Sequence, residues 1–311
     1  MIDSRLHVLR VLASHGTVTA TARALHYTPS AVSHQLRGLS EDLGVELLVP
    51  AGRGVKLTPA ARILLAHADE LFARWEHIRG LLGTGAPGAA GVLRLAGFST
   101  AAAALLPPVV SALRTARPEL QVRIIEADPA ECFELLLADD ADLAVIVATG
   151  TTPQASDSRF DQDFLVDDPL ELLVPEGHRL AERPGVALAE TAEERWIVDR
   201  PGRPHRQLVF SSCAEAGFTP VIAHEAAEWD TGAALVAAGF GVCLVPRLAR
   251  LPAGYGIRRV PLLGDPAPSR HIRTVVRSGS GAQPLLAQAL GVLGDTAAAA
   301  RRITGGSGGA G

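Results

Sequence analysis

Between residues 28 and 44 the apolar positions recur with helical spacing. Val32, Leu36, Leu39 and Leu43 step by 4, 3 and 4 and share one face. Thr28 followed by Pro29 reads as an N-cap and a first helical position, and Gly44 reads as the stop. Ser30, Ser33, His34, Arg37 and Glu41 fall largely on the opposite face, with Gln35 beside them. Upstream, residues 17–25 predict a shorter helix, and His26-Tyr27 the turn between the two. Two helices joined by such a short turn make a helix-turn-helix. Downstream, VELLVPAGRGVKLTP (45–59) predicts a two-stranded wing with Gly52-Arg53-Gly54 at its tip.

Residues 59–82 read as one longer helix. Leu64, Ala68, Leu71, Trp75, Ile78 and Leu82 alternate steps of 4 and 3, an a/d pattern expected of a seam between two copies of the chain. The alternative is a helix packed on its own domain. GTGAPGAAG (83–91) has the composition of a flexible hinge. From 92 the period shortens. Apolar, β-branched runs at 92–98, 121–127, 142–148, 170–175, 196–199, 242–246 and 272–277 predict strands. Helical stretches at 104–116, 130–138, 205–216 and 229–239 lie between several of them. This alternation predicts an α/β region with mostly parallel sheets, either one domain or two lobes. The tail 299–311 is expected to be disordered, because its end, TGGSGGAG, has nothing to bury.

Composition bounds the rest. The chain has 311 residues, 48% of them hydrophobic, enough for more than one packed core. Its net charge of −4 argues against nucleic acid until it is divided. Residues 1–62 hold seven Arg/Lys and four Asp/Glu, a balance of +3, and the remainder carries −7. Cys132, Cys213 and Cys243 are odd in number and widely spaced, which fits a reducing cytosol and three small buried hydrophobes. The charged N-terminus does not read as a signal peptide, and no apolar run is long enough for a membrane span. A cytoplasmic location with no membrane partner is therefore expected. The motifs of hydrolases, zinc proteases and nucleotide-binding loops are missing, and the histidines show no metal-ligand spacing with cysteine. No enzyme activity, metal or cofactor is expected.

The residue types on the 29–43 helix suit a DNA major groove. Small hydroxyls permit close approach, Arg37 can bond guanine bidentately, and His34 or Gln35 can read base edges. Arg53 and Lys56 on the wing would meet phosphates or the minor groove. In open α/β sheets ligands bind beyond the carboxyl ends of strands. The loops there carry Ser99 and Thr100, Asp128, Ala148 and Thr149, Asp199 to His205, and Glu228, Trp229 and Asp230. The acidic members admit a cationic effector, and Arg200, Arg203 and His205 admit a carboxylate.

LRVLASHGTVTATARALHYTPSAVSHQLRGLSEDLGVELL, with GVKLTPAAR after it, resembles the winged helix-turn-helix of LysR-type transcriptional regulators. VAAGFGVCLVP (236–246) resembles the glycine-rich turn of that family's effector domain. Three positions depart from the pattern. Thr21-Ala22 stands for paired alanines, Ser40 for a glutamate, and Leu47-Leu48-Val49-Pro50 for Leu-Phe-x-Arg. The aromatic residue and the arginine of the wing are thus missing, and its contacts rest on Arg53 and Lys56.

The resemblance implies an N-terminal all-α winged helix-turn-helix (1–58) and a linker helix (59–82). It further implies a C-terminal α/β, two-lobed, periplasmic-binding-protein-like effector domain (92–298). Lobe one would be 92–165 with 268–298, and lobe two 166–267. DNA contacts would come from Thr28, Ser30, Ser33, His34, Gln35, Arg37, Arg53 and Lys56. The effector would lie among Ser99, Thr100, Asp128, Ala148, Thr149, Asp199, Arg203, Trp229 and Asp230. Expected partners are double-stranded promoter DNA, a small-molecule effector, further copies of the chain in a dimer or tetramer, and RNA polymerase for an activator. The rival is a cytosolic small-molecule-binding or catalytic α/β protein with an accessory helical domain.

Overall fold

The computed structural model describes residues 2–52, 54–82, 92–264 and 267–305. The N-terminal unit has three helices, a hairpin and a long fourth helix. Helix α1 (Ser4–His15) starts at Asp3, whose carboxylate accepts from the Arg5 amide, and ends at Gly16 with φ 72°. Helix α2 (Val18–Ala24) is capped by Thr17, and α3 (Pro29–Leu43) by Thr28, whose hydroxyl accepts from the Ala31 amide at 3.2 Å. Strands β1 (Leu48–Ala51) and β2 (Gly54–Leu57) form the wing, with Leu48 opposite Leu57 and Val49 opposite Lys56. Thr58 ties the wing to helix α4 (Pro59–Leu82). Its hydroxyl donates to the Glu46 carbonyl at 2.7 Å and accepts from the Ala61 amide at 3.1 Å.

Val8, Leu9, Leu12, Ala22, Val32, Leu36, Leu39, Leu47 and Ala61 form the core of this unit. Leu48 packs on it where the family's aromatic residue is missing. Leu43 does not join the apolar stripe and is 47% exposed. It is the last residue of α3, and the chain reverses there through Gly44 with φ 66°, so no neighbour covers it.

The C-terminal region begins with β3 (Val92–Gly97), α5 (Ser99–Ala104), α6 (Leu106–Ala116), β4 (Gln121–Glu126), α7 (Pro129–Leu137) and β5 (Leu143–Val147). The long strand β6 (Phe160–Pro175) follows. Beyond it come β7 (Val186–Ala187), β8 (Arg195–Val198), α8 (Pro204–Glu215), β9 (Val221–Glu225), α9 (Trp229–Ala237), β10 (Cys243–Pro246) and β11 (Ile257–Leu263). The chain returns through β12 (Ser269–Arg277) and closes with α10 (Pro284–Gly305).

The main sheet runs β4-β3-β5-β12-β6-β11-β7, with β10 also on β6. It is mixed, and in this it differs from the parallel expectation. Strands β4, β3 and β5 are parallel, whereas β12 is antiparallel to β5 and to β6. The physical reason is that β6 and β12 run past each other between two half-sheets. Residues 160–169 of β6 pair with β12, and residues 170–175 pair with β10 and β11. The largest core of each half-sheet is separate from the other. Leu95, Leu106, Leu113, Leu143, Ile272 and Leu293 belong to one, and Leu172, Val174, Trp196, Val209, Leu244 and Val260 to the other.

The tail was expected to lack structure from 299, but α10 continues to Gly305. An alanine run at 297–300 carries it on, alanine being the best helix former. The rest of the tail, the hinge 83–91 and Arg53 lie outside the described residues. Among the described residues no helix is long and apolar enough to cross a membrane.

Candidate DNA-reading helix and interlobe cleft

Helix α3 is anchored on one face and open on the other. Val32, Leu36 and Leu39 are buried, while Ser30, His34 and Arg37 are exposed and Ser33 and Gln35 half-buried. Thr28 is occupied as the cap, and its hydroxyl lies 3.0 Å from that of Ser30. His34, Gln35 and Arg37 make no side-chain hydrogen bond or ion pair among the described residues, nor does the exposed Lys56. Arg5 differs. It spans Asp3 and Asp42, each at 2.7 Å, and so clamps α1 to α3. The cations on the reading face are therefore not spent on internal pairs.

The seam expected along α4 divides in two. Leu64 packs against the core of its own unit, and Ala68 is buried within the chain. Leu71, Trp75 and Leu82 are 54%, 38% and 71% exposed, and Ile78 is half-buried. The apolar ridge open to a second chain is the later half of the heptad pattern.

The residues expected to hold the effector lie at the carboxyl ends of neighbouring strands. Ser99 follows β3, Asp128 follows β4 and Ala148 follows β5, and these three strands are adjacent. The Ala127 amide donates to the Gly97 carbonyl at 3.1 Å, which holds the first two loops together. Phe98, not a hydroxyl residue, is the cap of α5 and offers no side-chain hydrogen bond. Ser99 is exposed and Thr100 buried, and neither hydroxyl is consumed in capping. Asp128 begins α7 in the same way, without a side-chain cap bond. The Thr149 hydroxyl lies 3.0 Å from that of Thr151, within its own turn.

Across the cleft, Asp199 follows β8 and Arg203 precedes α8. Arg203 Nη1 donates to Asp128 Oδ2 at 3.3 Å, and its Nε lies 3.7 Å from Asp199 Oδ2. Burial pushes the Asp199 carboxyl up, against the Arg200 amide that bonds it at 2.7 Å. His205 is half-buried, with its ring edge-on to Trp229 at 4.8 Å between centroids. Its Nε2 donates to the Leu244 carbonyl at 3.0 Å, and burial pushes the ring down to about 4. The neutral ring thus leaves Nδ1 as a buried acceptor without a partner. Asp230 is taken up by the Tyr255 hydroxyl, at 3.1 Å.

Two residues missed by the sequence reading complete the floor. Arg270 stacks over the Phe98 ring, 5.1 Å from its centroid, and its Nε donates to the buried Asp168 at 3.1 Å. Asp168 also accepts from the Leu248 amide at 2.9 Å, so one carboxylate joins both strands of the crossing to the loop after β10. The run 272–277 begins two residues after Arg270. Alternation at Arg270, Ile272 and Thr274, all buried, is the signal that reaches it.

A winged helix-turn-helix with a free polar face, joined to a two-lobed domain with a polar cleft, defines a ligand-responsive DNA-binding regulator. Residues 4–62 match the family of bacterial regulatory helix-turn-helix proteins of lysR type, and residues 86–298 match the LysR substrate binding domain. The chain belongs to the LysR-type transcriptional regulators and is controlled by a small effector bound to its C-terminal domain. It is 30% identical over 288 residues to a probable hydrogen peroxide-inducible genes activator of Streptomyces viridosporus, covering 89% of this chain and 88% of that one. It is 29% identical over 218 residues to the transcriptional dual regulator GltC of Bacillus subtilis, covering 70% and 71%. A full-length OxyR variant from Pseudomonas aeruginosa superimposes with a TM-score of 0.66 at 23% identity, covering 96% of this chain and 94% of that one.

Proposed function

We propose that α3 reads operator bases through Ser30, Ser33, His34, Gln35 and Arg37. In this reading Thr28 fixes the helix start, and Arg53 and Lys56 hold the flanking backbone. The observation that carries it is the exposed face of α3, whose arginine and histidine have no partner among the described residues. A homodimer on the ridge of Leu71, Trp75, Ile78 and Leu82 presents two such helices to a two-fold symmetric promoter site. Where the bound regulator activates, RNA polymerase is the further partner.

The effector occupies the space between the lobes, beside Ser99, Thr100, Asp128, Asp199, Arg203 and Trp229. Ala148 and Thr149 form the rim, and Asp230 supports the site through Tyr255. To enter, it must displace the Arg203–Asp128 contact, so it carries a charged or strongly polar group. The domain binds and releases this molecule without chemistry. Effector binding shifts the populations of the assembly's states through its unequal affinity for them. The relatives named for peroxide induction suggest a redox trigger, but the three thiols here lie in three separate cores.

The test is a gel shift of the full chain on DNA upstream of its own gene, at rising salt. A retarded band that weakens steeply with salt is expected. No shift at low salt overturns the reading.

A further inference from the structure

The N-terminal unit touches lobe one of its own chain through a charged joint. Glu76, on α4, is buried, and three groups converge on it. Arg277, at the end of β12, lies 3.4 Å from Glu76 Oε1; Gln283 Nε2 donates to Oε2 at 2.7 Å; and Arg79 donates from within α4 at 3.2 Å. The backbones meet as closely as they can. A Cβ at Gly279, whose φ is +80°, would lie 2.2 Å from the Ala73 carbonyl oxygen. Asp161 holds that loop in place by accepting from the Ser278 hydroxyl and the Gly279 amide, both at 2.9 Å. Nearby, His15 lies 3.9 Å from Glu134 and His26 3.8 Å from Asp140, pairing α1 and the α2–α3 turn with α7 and the turn after it.

The joint is polar and has space in it. A cavity of about 30 Å³ lies among His7, Arg10, Phe72, Glu76, Asp139 and Arg277, room for water. Each charge also keeps partners on its own side. Arg277 retains Asp139 at 3.2 Å, Asp142 at 3.4 Å and the Ala141 carbonyl at 2.6 Å, and Glu76 retains Arg79. Parting the surfaces therefore orphans neither charge, unlike the separation of a buried pair with no other partners. A contact of this kind can open and close.

The same strand reaches the cleft. Arg270 stands at the start of β12 and Arg277 at its end, roughly 23 Å apart along an extended strand. We infer that lobe one is a docking platform for the chain's own DNA-binding unit, closed by Glu76 on Arg277, and that β12 carries the state of the cleft to it. The second half of the inference rests on the cleft being the effector site. The docked position leaves the exposed face of α3 open, so docking fixes where the reading helix points without covering it.

Gly80→Cys with Gln283→Cys tests the docking in the full-length protein. A Cβ at Gly80 would lie 3.2 Å from Gln283 Cγ and 3.5 Å from its Cα, within reach of a disulfide. The three native thiols are buried and pushed up to about 12, so they do not compete. Mild oxidation should form an intrachain bond, read by peptide mapping and by a monomer band without reductant. Thiols left free, or a bond between two chains, overturns the docking. Glu76→Gln, which keeps the size, should raise amide exchange several-fold in residues 278–283; unchanged exchange overturns the latch by a route independent of the cysteines. The β12 relay needs no ligand to test. Arg203→Ala opens the cleft from the far side, and exchange should then change at 278–283 as well as at the cleft. A change confined to the cleft overturns the relay and leaves the docking standing.

Discussion

Arg203 of lobe two lies 3.3 Å from Asp128 of lobe one, an exposed ion pair across the mouth of the cleft. Exposed pairs contribute about 0–1 kcal/mol, because water screens them and two side chains must be ordered. Arg203→Ala should therefore lower stability by less than about 1 kcal/mol in urea unfolding. Amide exchange around Ser99 and Asp128 should nevertheless rise, because the open form gains population. A loss of several kcal/mol, or unaltered exchange, would show that the contact does not govern closure.

Arg37 and Lys56 should fail differently. If Arg37 bonds a base, Arg37→Ala lowers specific affinity by about 1–3 kcal/mol and relaxes the preference at one position. Lys56→Ala should weaken all sequences alike and reduce the salt slope by about one unit. Both are read by gel shift on matched and scrambled sites. Equal losses on both sites for Arg37→Ala would remove it from base reading.

The reading helix was legible because local signals agree. Thr28, Pro29 and Gly44 mark its ends, and the apolar step fixes its buried face. The cleft was legible only as loops, because the rule that ligands lie beyond strand ends names positions and not partners. Arg270 and Asp168 meet across β12 and β6, 102 residues apart in sequence. No local periodicity carries that pairing. The 16-residue β6 was seen only in its last six residues, since DQDFLVDD gives little apolar alternation. Strand β9 was missed for the same reason, being exposed at four of its five positions. Glu76 was hidden differently. In the sequence it is one polar residue between Trp75 and Ile78 of the heptad seam, and only the fold turns it onto lobe one.

The remaining exposed ridge on α4 predicts the assembly. Leu71→Asp with Trp75→Asp puts two carboxylates where an apolar seam would bury them, and monomers should result by light scattering. The same pair of changes at Leu64 and Ala68 would instead unfold the N-terminal unit, since Leu64 packs on its core and Ala68 is buried. An unchanged mass for the Leu71/Trp75 variant would place the interface elsewhere.

The thiols predict indifference to peroxide. The nucleophile is the thiolate, and burial pushes Cys132, Cys213 and Cys243 up to about 12, leaving almost none at neutral pH. Hydrogen peroxide at concentrations that fully oxidise a sensor thiol should leave this chain's intact mass unchanged and form no disulfide. An intrachain disulfide after treatment would revive the redox reading.

His205 gives the pH dependence of the effector domain. Its ring would titrate near 6.5 when unfolded, and burial, reinforced by nearby Arg270, pushes it down to about 4 in the fold. The added proton would sit on Nδ1, which has no acceptor. Because the folded value is the lower one, the unfolded chain binds the extra proton between pH 6.5 and 4. Stability from this group is complete above pH 6.5 and is lost as the pH falls toward 4. Between pH 7.5 and pH 5 the loss should be about 2 kcal/mol, from the linkage of one such group. Urea unfolding of the wild type and of His205→Gln at both pH values isolates it. The variant starts less stable, having lost the edge contact with Trp229, but its fall over the interval should be smaller by about that amount. Parallel pH curves for the two proteins would show that His205 does not stay neutral in the folded domain.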